Sequence, residues 1–80
     1  MKLSKQLKEE NRKLRHLRLM IDLTIQILYQ KKDLTLVEGL NYIKSAKMYA
    51  LSLFPDKGDV FDLIYQPRLQ RVMRERGLLN

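Results

Sequence analysis

No cysteine and no tryptophan occur in these 80 residues; histidine occurs once, proline twice and glycine three times. The lack of cysteine excludes disulfides, thiol nucleophiles and thiolate metal sites, and it fits a reducing compartment, so the cytoplasm is the expected location. A lone histidine, His16, leaves no second imidazole for a transition-metal site and reads as a surface histidine on the exposed side of the first helix. Glycine is too sparse for a phosphate-cradling loop. Long apolar runs are also lacking. The longest, from Leu19 to Tyr29, is broken by Asp22, Thr24 and Gln26 and falls well short of a membrane span, and no signal-peptide pattern follows the basic first residues. One domain is expected at this length, near the size at which a single core becomes marginal and self-association adds useful stability.

Positive charge is abundant and uneven. Residues 1–18 hold seven Lys/Arg against two Glu, net +5; residues 19–66 hold five Lys against six acids, net −1; residues 67–80 hold four Arg against one Glu, net +3. Two basic ends around a neutral middle suggest a surface for nucleic acid, acidic protein or anionic lipid.

Helical periodicity runs through the whole chain, which predicts an all-α fold, a small bundle of three to four helices with a long first helix. That helix is expected from Ser4 to Tyr29 or Gln30, free of Gly and Pro. Leu3, Leu7, Leu14, Leu17, Ile21, Ile25 and Leu28 form one apolar stripe, with Glu10 and Thr24 at the two remaining heptad positions. The opposite side changes character midway. Lys5, Lys8, Arg12 and Arg15 give way to Leu19, Leu23 and Ile27, so the second half is expected to be buried on two sides. The first, residues 1–17, is expected to need one apolar neighbour and to be able to project beyond the core.

Thr35-Leu36-Val37-Glu38 matches a capping box, placing the second helix from Leu36 to about Phe54, where Pro55-Asp56-Lys57-Gly58 stops it. Its main apolar face is expected to be Leu36, Leu40, Ile43, Ala50, Leu51 and Phe54, with Tyr42, Tyr49 and Leu53 widening the buried sector on one flank. The small residues Gly39, Ala46 and Ala50 lie between these groups, where the 17–28 segment can approach closely, antiparallel. Beyond the turn, Asp59 reads as the N-cap of a short helix over 60–65 and Pro67 as the opening of another over 68–76. Phe61 and Ile64 fall out of phase with Leu69, Val72 and Met73, so a break or kink is expected near Gln66-Pro67. Gly77 closes the last helix.

Few residues invite chemistry. Lys47, on the main apolar face of the second helix, is a candidate buried charge, either an anion ligand or a structural partner of Asp22 or Asp62. Asp56, Asp59 and Asp62 lack the spacing of a calcium loop, and Leu40 to Ala46 contains no turn that would complete a helix-turn-helix. Tyr65 to Gly77 reads as a docking helix or as the last helix of the core. Leu69, Val72 and Met73 are buried within the monomer only in the second case.

A non-enzymatic interaction or oligomerisation module is therefore expected, without cofactor, metal or small-molecule substrate. A homodimer would use Leu3, Leu7, Leu14 and Leu17. The alternative is nucleic-acid binding, with Lys5, Lys8, Arg12 and Arg15 together with Arg68, Arg71 and Arg74 as phosphate contacts, if the two basic ends meet. Attachment of the first helix to an anionic membrane surface is a third possibility.

Overall fold

A computed structural model describes the backbone of residues 2–80 and the side chains of residues 4–80. The fold is all-helical: α1 (Lys2–Gln30), α2 (Leu36–Leu53) and a C-terminal helix, α3, over 58–75. The last is continuous but compound, made of an α turn at Gly58–Val60, a π turn at Phe61–Tyr65 and an α segment at Gln66–Glu75. No described helix is long and apolar enough to cross a membrane.

The π turn replaces the expected break between two short helices. Within it the Gln66 amide donates to the Phe61 carbonyl, five residues back. The turn thus holds one residue more than the α ladder needs and takes back about one helical step of 100°. Phe61 is thereby brought into phase with Leu69, Val72 and Met73, and all four are buried in one core, while Ile64 turns outward. Pro67, with no amide hydrogen, follows directly in the first turn of the next segment, where none is required. Asp59 is not the cap. It lies inside the first turn, where a carboxylate complements the helix dipole.

At the other turns local chemistry sets the boundaries. The Glu38 amide donates to Thr35 Oγ1 at 3.1 Å and the Thr35 amide to Glu38 Oε1 at 3.2 Å, a complete capping box that starts α2. Gly77 adopts φ +74°, and the Leu78 amide donates to the Met73 carbonyl and the Gly77 amide to that of Arg74, both at 2.9 Å. That Schellman pattern closes α3 and folds Leu78 back onto the core.

α2 returns antiparallel to α1, since Glu38 pairs with Lys31 while Leu53 lies beside Arg12 and His16. α3 runs parallel to α1. Phe61 and Tyr65 share a cleft with Leu14 and Leu17, and Val72 and Glu75 lie beside Ile25 and Tyr29. Both neighbours sit on the Leu17–Ile21–Leu28 face, and Thr24 within that face satisfies its hydroxyl by donating to the Met20 carbonyl at 2.8 Å. The back of α1 is left uncovered. Leu19, Leu23 and Ile27 are 58%, 45% and 41% exposed, contrary to the two-sided burial expected for this segment. The reason is architectural: the two short helices expected at the C-terminus merge into one, leaving no fourth element for that side.

On α2 the buried residues are Gly39, Ile43, Ala46 and Ala50. The core therefore sits on the strip of small residues, and Leu36 and Leu40, expected on the main face, are substantially exposed. Small residues win there because α1 and α3 both press against the strip. A Cβ on Gly39 would fall 2.2 Å from Met73 Cε and 3.8 Å from Leu28 Cδ2, and Met73 is fully buried. Gly39→Ala is therefore expected to lose up to about 2 kcal/mol in urea unfolding, the net of about 1–3 kcal/mol of overpacking and the ~1 kcal/mol gained in helix propensity. Met73→Ala in the same chain should recover part of that loss relative to additivity. A stabilised Gly39→Ala protein would contradict the close contact.

Candidate interaction surfaces

α1, of 29 residues, is about 43 Å long and α2, of 18 residues, about 27 Å at the standard rise, within a molecule whose longest dimension is 50 Å. Their ends are matched at the α1–α2 turn, so the excess length of α1 emerges at the other end. Every residue from Ser4 to His16 is exposed.

That overhang holds part of the expected dimer seam. Leu7 and Leu14 are 53% and 37% exposed. Leu17 is not available to a partner, because it is 5% exposed and belongs to the core beneath α3. The side chain of Leu3 lies outside the described residues. Below Leu14 the seam opens into a cleft of about 330 Å³ walled by Phe54, Val60 and Tyr65, with Glu10 and Lys57 among its lining. Phe61 also lines it, with its ring 5.8 Å from that of Tyr65.

The two basic rows do not form one patch. Lys5, Lys8, Arg12 and Arg15 are exposed on the overhanging half, whereas Arg68 and Arg71 lie beside Ile25 and Tyr29. Thirteen residues of helix separate Arg12 from Ile25, about 20 Å along the axis. Arg74 is exposed further along α3, and Arg71 Nε approaches Glu75 Oε1 at 3.5 Å. Tyr29 does stand among the second row. Its hydroxyl donates to Glu75, which raises its pKa above the ordinary value of 10.0, with a smaller contribution from desolvation. Leu69, Val72 and Met73 are buried, so the Tyr65–Gly77 segment is the last helix of the core and presents only its arginine back.

Lys47 is half-buried rather than enclosed, and its Nζ lies 2.8 Å from Asp62 Oδ1, tying α2 to the π turn. His16 lies in a shallow depression with Glu9, Arg12 and Lys13. Among the described residues no group of three or more His, Asp or Glu could hold a metal ion.

One residue with a large structural role escapes sequence reading. Arg76 Nη1 donates to the carbonyls of Leu28 and Lys31, both at 2.7 Å, and of Tyr29 at 3.1 Å, while Nη2 donates to that of Lys32 at 3.2 Å. A cation at those terminal carbonyls satisfies orphan acceptors and complements the negative end of the α1 dipole. Lys31 and Lys32 are nearer in sequence. Lys31 instead pairs with Glu38 and lies 5.6 Å from the Tyr42 ring centre. Leu34, immediately before the α2 cap, was also missed and is buried in the core. An apolar residue just ahead of an N-cap is the available signal.

No protein-family model, curated protein or solved structure matches the chain.

The Lys31–Glu38 pair gives that end of the bundle a defined pH response. The hydrogen bond from Lys31, reinforced by Thr35, lowers the Glu38 pKa from its ordinary 4.5, and the same bond raises that of Lys31 from 10.5. Stability from Glu38 is thus present above pH 4.5 and lost as pH falls through its folded-state value; stability from Lys31 is present below pH 10.5 and lost as pH rises through its own. Melting temperatures followed from pH 7 into acid are expected to fall less steeply for Glu38→Gln than for the unmodified chain. Parallel acid limbs would show that the pair contributes nothing.

Proposed function

We propose that this protein is a non-enzymatic protein–protein interaction module that self-associates through the back of α1. The observation that carries the reading is the exposed ridge of Leu19, Leu23 and Ile27, spaced four residues apart in a segment whose only charged neighbour between 19 and 30 is Asp22. Rows at this spacing interdigitate with identical rows at a crossing of about −50°. A two-fold interface would set Leu23 against Leu23 of a second copy. Antiparallel crossing sends the two basic overhangs to opposite ends, whereas a parallel pair would align two segments of net +5.

This ridge replaces Leu3, Leu7, Leu14 and Leu17 as the proposed self-contact, because Leu17 is occupied within the monomer. Nucleic-acid binding loses support by the same geometry, since the two basic rows lie on different parts of the bundle.

Sedimentation at concentrations on the order of 100 μM is expected to show a dimer for the unmodified chain and a monomer for Leu19→Glu with Leu23→Glu. The far-UV circular dichroism should be unchanged, because neither side chain is in the core. A monomeric unmodified chain at that concentration, or a mass insensitive to the two substitutions, would refute self-association through this ridge.

A further inference from the structure

The overhanging half of α1 makes a second surface with different chemistry, and its charge says what covers it. The seam of Leu7 and Leu14 continues the core face of α1 past the ends of its neighbours and runs down into the cleft walled by Phe54, Val60 and Tyr65. An isolated helical segment of this length is marginal in water without a packed face. From Leu7 through Glu10 to Leu14 the seam keeps the three and four spacing that fits a second helix laid alongside.

A second copy is a poor occupant. It would bring another segment of net +5, and in a parallel pair Glu10 would face Glu10. The charged residues bordering the seam are cations, while the other flanking positions, Gln6 and Asn11, are neutral. Lys13 and Arg18 stand immediately before Leu14 and after Leu17, and Lys57 lies at the cleft. Flanking positions of this kind select partners by opposite charge. Nucleic acid fits less well, because the surface between the cations is aliphatic and aromatic, with Tyr65 set against Phe61 in the cleft lining.

We infer that the Leu7–Leu14 seam and the cleft below it receive an acidic amphipathic helix of a different protein, its apolar face on Leu7, Leu14 and Val60 and its carboxylates toward Lys13, Arg18 and Lys57. The inference rests on reading the chain as an interaction module, and it adds a partner class and a surface separate from the Leu19–Ile27 ridge. Glu10, between the two leucines, disfavours an uninterrupted apolar partner and sets the register of the bound helix.

The test uses the full chain and a fluorescein-labelled peptide of about 16 residues with leucines on one helical face and glutamates on both flanks, a length able to form a stable helix on binding. A scrambled peptide of identical composition and a short DNA duplex serve as competitors. The ordered peptide is expected to bind and gain helicity. Its affinity should fall at least about tenfold on scrambling, in Leu7→Gln with Leu14→Gln, and in Lys13→Ala with Lys57→Ala, and should weaken with added salt. All four positions are exposed, so the variants retain the fold.

The inference is overturned if the scrambled peptide or the duplex binds as tightly as the ordered peptide, or if the Leu7/Leu14 variant binds it as the unmodified chain does. Should that variant instead lose self-association while no probe binds, the seam belongs to a second copy; the partner class falls and the interaction reading stands. A chain that is monomeric throughout and binds none of the probes overturns both.

Discussion

The guanidinium of Arg76 ties the end of the chain to the end of α1. Four carbonyls from Leu28 to Lys32 converge on one side chain, which closes α1, fixes where the α1–α2 turn begins and sets α3 alongside the C-terminal half of α1 in the same direction. α2 is fixed at the same end by the capping box and by Lys31–Glu38. With all three helices joined at one end, their unequal lengths must show at the other. The overhang of α1 follows from where the connections lie.

Packing reinforces this arrangement. Met73 fills the space above Gly39 and beside Leu28, so the three helices meet where only a residue without a side chain leaves room. The π turn supplies the rotation that lets Phe61 share a face with Leu69 and Met73 across Pro67. A bundle made from these parts has one core face on α1. It leaves a neutral apolar ridge behind the core and a basic, leucine-bearing seam beyond it, two surfaces that differ in charge and so in the partners they suit.

Much of this was legible in sequence because it is local. The Thr35–Glu38 box, the Pro55–Gly58 stop and the Gly77 closure each depend on a few adjacent residues and appear where expected. The stripe from Leu17 to Leu28 was legible because its period matches the helix. What failed depended on which elements are present to cover a face. Leu19, Leu23 and Ile27 look like core by composition, and only the merging of the last two expected helices reveals that nothing covers them. Leu17 looked equivalent to Leu7 and Leu14 for the complementary reason: sequence does not show where along α1 its neighbours stop. Arg76 was indistinguishable from the other arginines, since its role arises from carbonyls more than forty positions away. The Lys47–Asp62 pair was foreseen as one of two options, and geometry selects it.

α1 is one continuous helix with two physical regimes, a C-terminal half held by the core and an N-terminal half exposed from Ser4 to His16. Residue-resolved amide hydrogen exchange on the isolated chain tests this most directly. Amides of residues 21–30 are expected to exchange only through global unfolding, while those of residues 6–14 exchange orders of magnitude faster through local opening, with a boundary near Leu17. Uniform protection along α1 in the isolated chain, at the global level from residue 6 onward, would contradict it.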